Sequence, residues 1–151
     1  MKGVPEATIP WTECLTDIIF SWDDPDDESH VHFNITRLEQ WLERNPHEIV
    51  RIPVDKEFAK VLPEMRGLEQ HRLKRLLDNP KWAPPIILAM MPDGTGLIVD
   101  GNHRYYVAYA LGWEHLKAYA VDVSIWGKFL VKMPEELEIP DATSIGWSGL
   151  L

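Results

Sequence analysis

Apolar residues along this 151-residue chain fall into short blocks, separated by proline, glycine and acidic positions. Over residues 11–20, Leu15, Ile18 and Ile19 recur at a spacing that predicts a short helix. Residues 23–29, Asp-Asp-Pro-Asp-Asp-Glu-Ser, read as a charged loop. Thr36 followed by Glu39 has the form of a capping box, opening a helix to about Arg44 that buries Leu38, Trp41 and Leu42. Asn45-Pro46 stops it. Residues 49–54 read as a strand. Pro53 has no N–H to give to a ladder, which puts that strand at an edge. Residues 56–62 form one or two helical turns. Residues 64–77 carry the strongest helical period, with Met65, Leu68, Leu73, Leu76 and Leu77 on one face and the charged positions mostly off it.

Residues 85–91 form an apolar strand, and the turn Pro92-Asp93-Gly94-Thr95-Gly96 pairs it with residues 96–100 as a hairpin. A helix follows from Asn102 to Leu111, with Gly112 as its C-terminal cap. Residues 116–123 make another strand, residues 125–133 a final amphipathic helix, and the tail beyond Pro134 an irregular arm. The order predicts one small domain of the α/β (α+β) class, with a central mixed sheet and flanking helices. The expected organisation is an acidic extension over residues 1–33 packing on the domain, the domain itself over 34–133, and an acidic arm over 134–151.

The net charge of −9 is concentrated at the flanks. Residues 1–30 hold eight acids and one base, and residues 133–151 four acids and no base. No basic stripe offers itself to duplex DNA. No apolar run is long enough to span a membrane. The first residues lack a basic region followed by an apolar core, so the expectation is a cytoplasmic protein. Cys14 is the single cysteine and reads as a small core residue.

The chemistry concentrates in Asp100-Gly101-Asn102-His103-Arg104, where a predicted strand gives way to a predicted helix. Helix N-termini present unpaired N–H groups and a partial positive charge. A glycine there lets a ligand approach the backbone, and His103 and Arg104 can reach the same point. The combination is a candidate phosphate site.

Strand, Asp-Gly-x-His-Arg, helix, Leu111-Gly112 and strand together resemble the ParB/sulfiredoxin superfamily over roughly residues 46–123. Pro84-Pro85-Ile86-Ile87 ahead of the hairpin fits as well. The resemblance implies a nucleotide-binding domain, with ATP, ADP or CTP and Mg²⁺ as cofactors. Asn102 stands where sulfiredoxins need a cysteine, which removes that chemistry. The residues after Val123 are few and acidic, so an appended helix-turn-helix domain is not expected. Free serine kinases of this fold are similar around Pro46-His47-Glu48. That similarity implies a phosphotransferase or NTPase in which Glu48 orients an acceptor hydroxyl. Gly101, Asn102, His103 and Arg104 would then hold phosphates. His103 would also act in catalysis by donating a hydrogen bond to an oxygen of the transferred group, and Asp100 would fix the turn or place Mg²⁺ through water.

Each role has a plainer rival. Arg104 can pair with a core carboxylate. His103 can bond to backbone. Asp100 can cap the helix. Glu48 can be an ordinary surface residue, and Asn102 a turn former. Two alternatives to an enzyme stand beside it. One is a nucleotide-responsive module with a protein partner or a second copy of itself. The other is a ParB-like nuclease or DNA-associated protein, against which the acidic flanks count. His30 and His32 share one side of a strand and can bind zinc only with a third ligand. Trp41 and Trp82 read as core. Trp11, Trp126 and Trp147 can line a base pocket or an interface.

Overall fold

The computed structural model describes residues 3–25, 29–80 and 84–134. Asp93-Gly94 sets the central hairpin. The Asp93 carboxylate accepts from the Thr95 N–H at 2.9 Å and from its hydroxyl at 2.6 Å, and Gly94 takes φ 89°. The turn joins β5 (Ile86–Met90) to β6 (Gly96–Asp100). β7 (His115–Val121) runs parallel to β5, and β4 (Ile49–Pro53) runs antiparallel to β7. The sheet order is β4-β7-β5-β6, so β4 is at an edge, as Pro53 requires.

Alternation along these strands feeds two cores. Ile87, Ala89, Leu97, Val99 and Val121 face one side, and Ile86, Leu88, Ile98, Leu116 and Ala118 the other. The first side is covered by α1 (Ile35–Arg44) through Leu38 and Leu42, and by Val31 and Phe33 of β3 (His30–Asn34). The second is covered by α2 (Lys56–Arg66) through Ala59 and Leu62, and by α4 (Asn102–Ala110) through Tyr105 and Ala108. Burial on both faces is why the central strands read as nearly continuous apolar runs. The chain is a small α+β domain. No helix among the described residues is long and apolar enough to cross a membrane.

Four expected elements differ. Residues 11–20 are not a helix. A single 3-10 turn (Trp11–Glu13) precedes β2 (Ile19–Asp23), which pairs antiparallel with β3 from Ile19↔Asn34 to Asp23↔His30. Leu15 and Ile18 stay exposed, so no packed face supports the helical period there. The capping box is replaced by Asn34. Its side chain accepts from the Arg37 N–H at 2.9 Å and donates to Asp17 at 2.8 Å. Thr36 instead accepts from the Ile18 N–H at 2.8 Å.

The long helix over 64–77 is two helices. α2 ends at Gly67, whose φ of 58° turns the chain left-handed, and α3 (Gln70–Asp78) starts afresh. The final helix shrinks to α5 (Val123–Trp126) and a 3-10 turn. The chain then enters β8 (Val131–Lys132), which pairs parallel with β1 (Ile9–Pro10). The boundary expected after residue 33 falls inside β3, whose Val31 and Phe33 belong to the main core. Trp82, Trp147 and all of the C-terminal arm except Pro134 lie outside the described residues.

Candidate functional site

The corner between β6 and α4 is built by packing. Gly101 adopts φ 109°, and a Cβ there would collide with Cγ2 and Cβ of Ile86. Glycine is therefore explained by Ile86 rather than by room for a ligand at its Cα. Asn102 is buried in the first turn of α4, and its Oδ1 has no hydrogen-bond partner among the described residues. Tyr105 fixes the helix to the sheet edge. Its hydroxyl accepts from the Asp55 N–H at 2.6 Å and donates to the Pro53 carbonyl at 3.3 Å.

His103 Nε2 accepts from the Glu69 N–H at 2.9 Å, tying α4 to the start of α3. An accepting Nε2 carries no proton, which puts the proton of the neutral ring on Nδ1. Partial burial and the neighbouring Arg72 hold the pKa of His103 below the ordinary value. Arg104 donates from Nη1 to the Pro84 carbonyl at 3.0 Å and from Nη2 to Asp100 Oδ2 at 2.9 Å. Its side chain is only 13% exposed. Asp100 thus fixes the turn through Arg104 and does not cap α4, whose N-cap Gly101 has no side-chain bond.

Glu48 stands apart. It is exposed just before β4 and lines neither cavity beside Arg104. Ile49 pairs with Tyr119, Tyr119 with Ile87, and Ile87 with Asp100. Three strand spacings, roughly 14 Å, therefore separate that end of β4 from Asp100.

Arg104 borders two cavities. The larger, about 490 Å³, lies where α4 crosses the start of β7. Arg51, Arg104, Lys117 and His115 supply its polar groups, and Leu76 and Trp113 are among its apolar walls. No carboxylate among the described residues lines it. The smaller, about 210 Å³, lies on the α1 side and is lined by Glu39, Glu43, Asp100, Arg104 and Tyr119 among others. Glu39 sits at its exposed mouth with its carboxyl against Asp100. Partial burial and the Asp100 carboxyl push the Glu39 pKa up to about 7, against a smaller opposing pull from Arg104.

Sequence reasoning missed Glu39 because it was assigned to a cap. It missed Arg51 and Lys117 because each is simply a polar position between apolar strand residues. Other candidates are accounted for locally. His30 bonds to Asp23 and His32 Nδ1 to Ser21 Oγ, and no group of three metal-capable side chains occurs among the described residues. Trp126 is fully buried and donates to the Met90 carbonyl at 3.1 Å, so it is core and not a base pocket. Trp41 is half-buried beside His47. Compared with protein-family models, curated proteins and solved structures, the chain matches none.

Proposed function

We propose that this chain binds a nucleotide in the larger cavity and transfers or hydrolyses its terminal phosphoryl group. The observation that carries the reading is the position of Arg104, immobilised by Asp100 and Pro84 on the wall between a basic cavity and an acidic one. A preorganised guanidinium suits a phosphate because it needs no reordering when charge develops. The larger cavity is within the size range of small-molecule sites, and its basic and aromatic lining fits a nucleotide. The resemblance of residues 100–104 to ParB/sulfiredoxin proteins points the same way. Mg²⁺ would arrive with ATP, ADP or CTP on the phosphate oxygens and neutralise their charge.

The acidic cavity suits the acceptor. A hydroxyl oxygen there would form the new bond to phosphorus as the bond to the departing nucleotide breaks, and the hydroxyl proton would pass to Glu39. A carboxyl titrating at about 7 supplies both acid and base forms near neutral pH. Glu39 takes the part that the resemblance gave to Glu48, because it is the acid of this cavity with a raised pKa, while Asp100 is engaged by Arg104. Water in the acceptor's place gives hydrolysis by the same route.

The test is calorimetric titration with ATP, ADP and CTP in Mg²⁺, followed by phosphorus NMR of the products. Arg104→Gln should weaken binding at least tenfold, and Glu39→Gln should slow turnover while binding persists. Failure of all three nucleotides to bind would overturn the proposal. Binding without turnover would leave the second reading, a nucleotide-responsive module. Leu15 and Ile18, 74% and 66% exposed, would then offer an apolar surface to a protein partner.

A further inference from the structure

The register of β4 and β7 places Arg51 directly opposite Lys117. Like charges in a cross-strand pair repel, and such pairs are selected against unless something else compensates. No ion pair compensates here: among the described residues neither side chain bonds to a carboxylate. Both line the 490 Å³ cavity, whose wall holds no acid among the described residues although the chain carries a net charge of −9. The third cation, Arg104, is already matched by Asp100, so the surplus charge belongs to Arg51 and Lys117.

The pairing of β5 with β7 begins at Ile86↔Ala118. Among the described residues, nothing pairs with residues 115–117 of β7 on that side, and the cavity occupies this gap. Its ligand therefore meets Arg104 on one wall and the Arg51–Lys117 pair on another. Locally unfavourable charge placement in an otherwise consistent fold marks a functional position.

We infer that Arg51 and Lys117 form a second anion locus beside Arg104, so that the cavity selects ligands with two adjacent anionic groups, a diphosphate over a monophosphate. The inference rests on the nucleotide reading only for the identity of the rest of the ligand. For a nucleotide, the Arg51–Lys117 locus would hold one phosphate and Arg104 the next. Two loci acting through one linked ligand bind far more tightly than either alone.

The test is calorimetry with inorganic pyrophosphate, inorganic phosphate, ADP and AMP. It compares the unaltered chain, the double variant Arg51→Gln with Lys117→Gln, and Arg104→Gln. Pyrophosphate should bind at least tenfold more tightly than phosphate, and ADP more tightly than AMP. The double variant should erase both preferences while its thermal unfolding midpoint is held or raised, because relieving the like-charge pair does not unfold a surface strand. Equal pyrophosphate affinity in the double variant and the unaltered chain would overturn the inference. If ADP still bound there through Arg104, the nucleotide reading would stand without it. Pyrophosphate binding that needs Arg51 and Lys117, with no nucleotide bound, would uphold the locus and overturn the nucleotide reading. Absence of any binding would overturn both.

Discussion

Arg104 Nη2 donates to Asp100 Oδ2 at 2.9 Å, across the corner where β6 becomes α4. The same Asp100 carboxyl bears on Glu39 from the other side. One residue therefore orients a cation and, together with burial, raises the pKa of an acid. Replacing Asp100 by Asn should leave Arg104 held mainly by the Pro84 carbonyl. It should also lower the Glu39 midpoint from about 7 toward the ordinary carboxylate range, because the neighbouring negative charge is gone. Carbon-detected NMR titration of the Glu39 carboxyl reads this directly. A midpoint that does not move would show that burial alone sets it.

Glu39 also makes stability depend on pH. Its folded pKa is raised, so between its ordinary value of 4.5 and about 7 the folded chain binds more protons than the unfolded one. Stability should therefore fall as pH rises through that window. Because the side chain stays in contact with water, the effect should be on the order of 1 kcal/mol rather than the full value of the shift. Glu39→Gln should flatten this slope in urea denaturation followed from pH 5 to pH 8.

His103 acts with the opposite sign. Its folded pKa is depressed below 6.5, so it favours the folded state above that value and costs stability as pH falls and the ring is forced to protonate. Protonation also removes the Nε2 acceptor of the Glu69 N–H. His103→Ala should loosen the start of α3. Amide exchange at Glu69 should quicken by more than threefold, while exchange in β5 stays unchanged. Equal protection at Glu69 in both proteins would rule out the tether.

Two glycines with positive φ should respond differently to alanine. Gly67 at φ 58° has open space around it, so Gly67→Ala should cost about 1 kcal/mol from backbone strain alone. Gly101 at φ 109° has Ile86 in the way, so Gly101→Ala adds overpacking, for a total of roughly 2–4 kcal/mol. Adding Ile86→Ala to Gly101→Ala should cost less than the sum of the two single changes, since the first removes Cγ2, the nearer of the two colliding atoms. Strict additivity in chemical denaturation would contradict the geometry.

The hairpin, the edge strand and the strand-to-helix corner were legible because local rules and tertiary structure agree there. Asp93-Gly94 specifies a turn without help from the rest of the chain, and Pro53 excludes an inner strand. What stayed hidden depends on distant partners. Asn34 caps α1 while its amide is held by Asp17, on a segment whose own spacing suggested a helix. Glu39 acquires its character only once Asp100 lies beside it. Arg51 and Lys117 become neighbours only through strand register, which a shift of one residue would undo. Within the Asp100–Arg104 run the plainer contacts are present: Arg104 meets a carboxylate, and His103 meets backbone.

The seam between β1 and β8 has its own consequence. Ile9 pairs with Val131, and the Ile9 N–H donates to the Leu130 carbonyl at 3.1 Å, joining segments more than a hundred residues apart. Closing so long a loop has an entropic cost that only an already collapsed interior can offset. The seam is therefore the natural finishing stitch of folding and the first to come undone: clipping β1 away would bare Val131, and clipping β8 away would bare Ile9.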